Sequence, residues 1–174
     1  DIEHQRYRPA ALYINGEFWG IQNIREKVSE HFISSNHSIS TEHIDLLDIQ
    51  GVNDENIVHG ANADYIELLD YLETQEMNDP IVENALDNWI DIESYMSYQA
   101  FQIFVDNRDW PGNNIKFWRD HRVGGKWRWI LYDTDFGFGI WDQYAYTFNT
   151  LSFALDPNGP YWPNPPWSTF VFRK

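Results

Sequence analysis

The fold of this protein is decided by residues 107–137, NRDWPGNNIKFWRDHRVGGKWRWILYDTDFG. Within this stretch, residues 115–119 alternate between apolar and polar side chains, Gly124-Gly125 supplies a turn, and residues 127–132 return as a second, aromatic strand. A polar cluster lies before the first strand, and another lies after the second. Because an antiparallel hairpin brings the start of its first strand beside the end of its second, we expect the two clusters to meet.

The polar residues that this hairpin brings together have the chemistry of a cation site. They are Asp109, Asn114, Asp133 and Asp135. Carboxylates at close range raise each other's pKa and destabilise the fold, and a bound cation removes that cost. Hard oxygen ligands of this kind suit Mg²⁺, Mn²⁺ or Ca²⁺ better than Zn²⁺. The sequence therefore predicts a divalent-cation site at one edge of the hairpin.

The spacing of these residues matches that of a phosphoryl-transfer site. In protein kinases a catalytic Asp is followed, after four residues, by an Asn that holds metal, and a metal-binding Asp-Phe-Gly sequence comes later. Asp109 and Asn114 have that separation, and Asp135-Phe136-Gly137 follows the hairpin. Taken singly, each of these residues is an ordinary turn former or helix cap. The hairpin that joins both clusters favours the functional interpretation.

Upstream, the sequence predicts a second β-hairpin and then a mixture of helices and strands. Residues 10–14 and 18–24 are typical strands joined by Asn15-Gly16, and residues 25–33 carry apolar side chains at helical spacing. The other predicted elements are a strand at 44–49, a loop at 51–60, a helix at 65–76 capped by Asp64, a helix at 81–86 and a helix at 95–105. This order of elements predicts an α+β fold.

Two of the predicted helices carry apolar side chains that we expect to face the core. In the helix at 65–76 the expected buried residues are Ile66, Leu69, Tyr71 and Leu72. In the helix at 95–105 the expected buried stripe consists of Met96, Ala100, Ile103 and Phe104.

The composition excludes several classes of function. The 174 residues suit one domain, and a net charge of −15 disfavours nucleic acid and anionic membranes as partners. The absence of cysteine excludes disulfides and Cys-based zinc sites. No apolar run is long enough to span a membrane, and no signal peptide is recognisable. Because the chain opens abruptly at Asp1, we expect it to be a piece of a longer protein.

Two blocks of this sequence resemble the CotH kinase family, the atypical protein kinases related to spore coat protein H. The first block contains Tyr13-Ile14-Asn15-Gly16-Glu17-Phe18-Trp19-Gly20 and Ile24-Arg25-Glu26, and the second is the stretch quoted above. The resemblance covers about residues 7–33 and 92–140. It implies a single domain with a partial atypical protein-kinase-like fold, in which residues 7–33 end the N-lobe and form the hinge and residues 34–174 form a helical C-lobe.

The resemblance also implies an activity and the residues that perform it. Members of this family use ATP with Mg²⁺ or Mn²⁺ to phosphorylate Ser or Thr in proteins, and related domains occur in secreted and cell-surface bacterial proteins. On this basis Asp109 is the catalytic residue and Asp133 a metal ligand. Asn114 would assist with metal and Asp135 would be a second ligand. Glu26 and Lys27 would lie at the connection that contacts adenine. Glu26 is equally consistent with a solvated residue in the first turn of a helix, and we expect Lys27 to be exposed to solvent.

A kinase also needs a strand Lys, a helix Glu that pairs with it and a loop over the phosphates. In kinase order these parts precede the first hairpin, where this chain begins, and neither Lys116 nor Lys126 matches the strand Lys. Whether the 174 residues are active without a preceding segment therefore stays open.

A non-catalytic module on the cell surface is the alternative interpretation. It would use the acidic residues for structural Ca²⁺ and the aromatic residues after them to bind carbohydrate or protein. Those aromatic residues are Trp141, Tyr144, Tyr146, Tyr161, Trp162 and Trp167. The simpler interpretation, which we favour, is that they pack a lobe that has little regular structure.

Overall fold

The computed structural model describes residues 2–49, 57–76, 79–122 and 124–156. Within these ranges the chain forms a five-stranded sheet, a separate two-stranded sheet and five α-helices, which confirms the α+β class. The strands are β1 (Glu3–His4), β2 (Tyr7–Ile14), β3 (Glu17–Arg25), β4 (Ile44–Ile49), β5 (Ile57–His59), β6 (Ile115–Asp120) and β7 (Arg128–Leu131). The helices are α1 (Glu30–His37), α2 (Ala63–Thr74), α3 (Pro80–Trp89), α4 (Ile92–Phe104) and α5 (Thr150–Leu155).

The larger sheet has the strand order β1-β7-β6-β4-β5. β6 and β7 pair antiparallel with Phe117 opposite Trp129, which confirms the hairpin predicted from the sequence. β4 pairs antiparallel with β6, with Ile49 opposite Ile115, and confirms the strand predicted at 44–49. β1 joins β7 in parallel at the edge of the sheet. The start of β6 and the end of β7 therefore lie side by side, next to the end of β4.

Apolar clusters cover both faces of this sheet. The larger cluster joins one face to α2 and α4, and its buried aromatic members are Tyr65, Tyr95, Tyr98, Trp110, Phe117, Trp127 and Trp129. The smaller cluster joins the other face to α1 through Phe32, Ile33, Leu46, Trp118 and Ile130. Fully burying a large apolar side chain stabilises a fold by about 1.5–3 kcal/mol. Packing on both faces thus holds the β6–β7 hairpin in a fixed position.

The buried side of α4 is not the side that the apolar pattern predicted. Of the four residues expected in the core, Ile103 is half-buried, and the exposed ones are Met96, Ala100 and Phe104. The residues that α4 buries are Ser94, Tyr95, Tyr98, Gln99 and Gln102. Two of the polar side chains have partners: the amide of Trp129 donates to Ser94 Oγ at 3.2 Å, and Oε1 of Gln102 accepts from Nδ2 of Asn107 at 2.8 Å.

The N-terminal hairpin of β2 and β3 confirms the prediction from Asn15-Gly16, and both turn residues adopt positive φ. Its large apolar side chains remain in solvent, with Trp19 67% and Ile21 71% exposed. The helix predicted at 25–33 begins only at Glu30. The chain stays extended before it because the Glu26 amide donates to the Arg6 carbonyl at 3.1 Å, which continues the pairing of the strands.

The helix predicted at 65–76 is α2, with Asn62 rather than Asp64 at its N-cap. Its buried residues are Tyr65, Leu68, Leu69 and Leu72, whereas Ile66 is 39% exposed. Asp64 does not cap the helix because the helix begins one residue before it; it lies in the first turn and forms an ion pair with Arg119.

Two further predictions concern short segments. Part of the loop predicted at 51–60 is the strand β5, and residues 51–56 lie outside the described ranges. The aromatic residues Tyr161, Trp162 and Trp167 also lie outside them.

In the described portion of the chain, no helix has both the length and the apolar character needed to cross a bilayer. The division into an N-lobe end and a C-lobe stays a prediction.

Candidate active site

The loop that carries Asp109 begins where α4 ends. Asp106 takes a positive φ of 51° and turns the chain away from the helix axis. Its carboxylate accepts two hydrogen bonds from Nε of Arg108, at 2.7 and 2.8 Å, and a third from the Thr150 hydroxyl at 2.6 Å. The Arg108 guanidinium also lies 3.3 Å from the centroid of the Phe148 ring. These contacts secure the start of the loop against α5 and the segment before it.

The carboxylate of Asp109 is held by the two asparagines that end the loop. Its Oδ2 accepts hydrogen bonds from Nδ2 of Asn113 at 3.1 Å and from Nδ2 of Asn114 at 2.5 Å. Asn114 adopts a positive φ of 56°, which asparagine tolerates better than most residues, and β6 starts directly after it. The predicted pair of Asp109 and Asn114 is therefore in direct contact.

The second acidic loop begins directly after β7. The pKa of Asp133 is raised, first because its surroundings remove water from the ionised form. A hydrogen bond with Asp135 and the negative charges of Asp135 and Asp109 raise the pKa further, while the positive charge of Arg25 opposes the rise. The structure thus brings Asp109, Asp133 and Asp135 into one electrostatic environment.

Backbone hydrogen bonds join the two loops. The Phe138 amide donates to the Val105 carbonyl at 2.6 Å, and the Arg108 amide donates to the Phe136 carbonyl at 3.4 Å. Gly137 between them is buried, and a Cβ there would lie 3.1 Å from both the Thr134 and the Val105 carbonyl oxygens. The main chain directly after Asp135 is therefore bonded to the main chain directly before Asp109.

Glu26 and Lys27 lie near the end of β7, through contacts made by Gln5. The Gln5 amide donates to the Leu131 carbonyl at 3.4 Å, and Gln5 Nε2 donates to the Glu26 carbonyl at 2.6 Å. The side chain of Glu26 accepts a hydrogen bond from the Arg6 amide at 3.0 Å. Lys27 is exposed, as the sequence indicated. Glu26 therefore bonds within its own hairpin, while its backbone adjoins the strand that leads to Asp133.

The donor atoms of this site fit a hard divalent cation. Carboxylate oxygens are the ligands that Mg²⁺ and Ca²⁺ prefer, and the negative charges of Asp135 and Asp109 near Asp133 are ones that a cation would neutralise. Asn114 donates to Asp109 through Nδ2, so its Oδ1 takes no part in that bond. Across the described ranges, no group of three or more His, Asp or Glu side chains is already arranged to hold a metal ion.

Comparison with known protein families identifies the chain. The family model described as CotH kinase protein matches residues 1–174. The chain belongs to the CotH kinase family. The resemblance first carried by residues 7–33 and 92–140 therefore extends over the whole sequence. No curated protein matches the sequence.

Membership of the CotH kinase family agrees with a kinase-like function and, in general terms, with the use of ATP and a divalent metal on a protein substrate. In this CotH-family chain the Asp109 loop and the acidic loop after the hairpin meet at one edge of the sheet. The specific ion, the carbohydrate partner and the extracellular location that the sequence suggested are not shown by this match.

Three contacts of the site were not anticipated from the sequence. Asn107 bonds the backbone of Asp109, Arg108 pairs with Asp106, and Arg25 acts electrostatically on Asp133. Asn107 and Arg108 stand in the polar cluster, but nothing in their spacing distinguishes them from loop residues. Arg25 is 108 positions before Asp133, and only the tertiary structure shows that the two are near.

Proposed function

We propose that this chain is the part of a CotH-family kinase that positions the phosphate acceptor and the metal, and that the parent enzyme phosphorylates Ser or Thr in proteins. The observation that carries the proposal is the meeting of Asp109, held by Asn113 and Asn114, with the Asp133–Asp135 pair. A positioned carboxylate beside metal-holding oxygens is what phosphoryl transfer requires, since positioning and charge neutralisation supply most of the catalysis.

In this proposal Asp109 orients the acceptor hydroxyl and accepts its proton. The hydroxyl oxygen then forms a bond to the γ-phosphorus of ATP while the bond to the β–γ bridging oxygen breaks and ADP leaves. Asn113 and Asn114 donate to Oδ2 of Asp109, which leaves Oδ1 for the acceptor hydroxyl. Asp109 is half-buried, so an acceptor side chain can approach it from solvent.

Asp133, Asp135 and Asn114 would hold Mg²⁺ or Mn²⁺, which would neutralise charge on the phosphates. The pKa of Asp133 is raised first by desolvation and then by its neighbours Asp135 and Asp109, and the bound cation would offset the repulsion from these two. We further propose that Glu26 and Lys27 lie on the adenine side of the nucleotide. The support is their place beside the end of β7, which Gln5 establishes.

The test is phosphate transfer from labelled ATP to a Ser-rich acceptor by the full-length parent, with Asp109→Asn beside the wild type. The substitution keeps the volume but removes the base, so we expect the rate to fall by about 10²–10⁴-fold. The control is Asp70→Asn, an exposed carboxylate on α2, which should leave the rate unchanged. Unchanged transfer by the Asp109 variant would exclude Asp109 as the catalytic residue.

A non-catalytic binding module remains a second candidate because of one observation. A surface groove of about 390 Å³ next to the Asp109 loop is lined by Phe104, Phe138, Tyr146 and Phe148, and Phe138 and Tyr146 are 79% and 82% exposed. Exposed aromatic rings bind sugars and extended peptides. If this candidate is correct, Ca²⁺ alone will raise the melting temperature and Mg²⁺-ATP will add nothing. A nucleotide-dependent rise supports the kinase.

We also propose that the parent protein acts outside the cell or on the surface of a bacterium. The support is the family resemblance alone. Protease treatment of intact cells tests it, because a surface protein is digested while a cytoplasmic marker is retained.

A further inference from the structure

Asn107 is a fully buried polar residue near the start of the Asp109 loop. Its Oδ1 accepts a hydrogen bond from the Asp109 amide at 3.1 Å, and its Nδ2 donates to Oε1 of Gln102 at 2.8 Å. Its own amide donates to the Gln102 carbonyl at 3.1 Å. One side chain thus connects the backbone of Asp109 to the last turn of α4.

This connection reaches into the rigid part of the molecule. Gln102 is 1% exposed and lies on the face of α4 that packs under the sheet, together with Tyr98, which is completely buried. A buried amide group without a hydrogen-bond partner destabilises the fold, because it has lost water and gained nothing in return. The paired arrangement of Asn107 and Gln102 is therefore strongly favoured over others. The Asp109 backbone is therefore held to α4 through Asn107, and its carboxylate is held separately by Asn113 and Asn114.

We propose that Asn107 is a positioning residue, which acts through Asp109 by holding the Asp109 backbone against Gln102. The inference rests on the proposed function for its catalytic consequence. It predicts that loss of the Asn107 amide leaves nucleotide binding intact and allows Asp109 to move away from the acceptor hydroxyl. A shift of about 1 Å in a catalytic group is enough to cost about 100-fold in rate.

The experiment uses the full-length parent with Asn107→Leu, Asn107→Asp and Gln102→Met, and with Gln99→Leu as the matched control. Gln99 is also buried on α4, but no hydrogen bond of the described residues connects it to the Asp109 loop. Asn107→Asp keeps the acceptor for the Asp109 amide, and the Gln102 amide can turn over and donate to it. Two quantities are measured: kcat and KM for ATP, and the hydrogen-exchange rate of the Asp109 amide by NMR.

For Asn107→Leu and Gln102→Met we expect kcat to fall by about 100-fold, the KM for ATP to stay within about twofold, and the Asp109 amide to exchange at least about tenfold faster. Asn107→Asp should recover most of kcat and most of the protection of that amide. Gln99→Leu should change neither. Gln102→Met keeps the test valid if Asn107→Leu does not fold, because a flexible thioether fills the site of the amide.

Either of two results overturns the inference: an Asp109 amide whose exchange is unchanged in both variants, or faster exchange with kcat unaltered. An equal loss of kcat in Gln99→Leu also overturns it, because the effect would then be general to buried changes on α4. A wild-type parent that transfers no phosphate refutes the proposed function and the catalytic consequence together. The exchange rates then still decide whether Asn107 holds the Asp109 backbone.

Discussion

At the scale of single residues, Asp133 reveals the chemistry of the acidic loop most directly. It follows a buried strand with a positive φ of 50°, and its neighbours include the carboxylates of Asp135 and Asp109. Arg25 is the one positive charge among the causes of its pKa shift, and it does not outweigh them. A fold keeps such a group of like charges only at a cost to its stability.

The first prediction concerns the stability cost of Asp133. Its folded-state pKa lies above the unfolded value, so ionisation favours the unfolded state. The contribution of this carboxyl to the free energy of unfolding is fully present below the unfolded pKa of about 3.9. It is lost as pH rises through the folded pKa. We therefore expect Asp133→Asn to raise the free energy of unfolding at pH 7 without metal, which urea denaturation measures. The gain should be no more than about 1 kcal/mol, because the exposed side chain is screened by water.

The same variant should lose the stabilisation that Mg²⁺ or Mn²⁺ confers on the wild type, which thermal melting with and without the ion measures. Asp70→Asn, on the exposed face of α2, is the control and should change neither quantity. A variant that is less stable than the wild type in the absence of metal would show that Asp133 is not under repulsion from its neighbours.

At the scale of elements, α4 shows that two apolar faces can compete for one core. Its sequence offers Met96, Ala100 and Phe104 on one side and Tyr95 and Tyr98 on the other. The aromatic side of α4 packs against the sheet, and there the Tyr95 ring lies edge-on against Trp129 with the centroids 4.6 Å apart. Large rings fill the space under the sheet better than Ala100 would, and their burial outweighs the cost of placing Gln99 and Gln102 beside them.

The second prediction compares two aromatic residues on this helix. Tyr98 is fully buried and Phe104 is 81% exposed. Tyr98→Ala should lower the free energy of unfolding by about 3–5 kcal/mol, and Phe104→Ala should change it by less than about 0.5 kcal/mol. Urea denaturation of both variants measures the difference. A larger loss for Phe104→Ala than for Tyr98→Ala would mean that the helix turns its other face to the core.

The third prediction concerns the ion pairs that join β4, β6 and α2. Asp45 is 3% exposed, and its carboxylate accepts hydrogen bonds from the Ala61 amide at 2.8 Å and from Nε of Arg119 at 3.3 Å. Arg119 also bonds Asp64. Removal of one partner from a buried ion pair costs about 3–5 kcal/mol, so Asp45→Ala should lower the urea midpoint strongly.

The control for Asp45→Ala is Asp87→Ala, which removes an ion pair with Lys126 on the surface. The Asp87 side chain is 64% exposed, and exposed pairs contribute about 0–1 kcal/mol. Equal effects of the two substitutions would indicate that water reaches the Asp45 carboxylate.

At the scale of the whole molecule, the two sheets differ in what supports them. The five-stranded sheet has buried clusters on both faces, whereas the β2–β3 hairpin exposes most of its large apolar side chains. A two-stranded hairpin with little packing is marginally stable in water. The hairpin nevertheless carries Arg25 and Glu26 to the end of β7, so its opening would change the surroundings of Asp133.

The fourth prediction is that the β2–β3 hairpin opens independently of the larger sheet. Amides in Tyr7–Ile14 and Glu17–Arg25 should exchange at least about 100-fold faster than those in Ile44–Ile49 and Ile115–Asp120, because local opening there exposes little buried apolar surface. Native-state hydrogen exchange of the 174-residue chain measures this. Equal protection in both sheets would show that the hairpin unfolds only with the whole domain.

The sequence by itself determined both hairpins, the strand at 44–49, the presence of the main helices and the family. These features depend on local signals: turn residues such as Asn15-Gly16, the alternation of side chains along a strand, and the fixed spacing of Asp109 and Asn114. They are readable because each signal lies within a few residues of the structure it specifies.

Only the tertiary structure decided which face of α4 is buried, where α1 begins, and which groups surround Asp133 and Asp109. Burial depends on how well a side chain fills the space left by distant strands, and the pKa of Asp133 depends on charges as far away in sequence as Arg25. The hydrogen bonds of Asn107 likewise exist only once α4 and the Asp109 loop are in place. Such contacts have no local pattern, because the residues that form them meet only when the chain has folded.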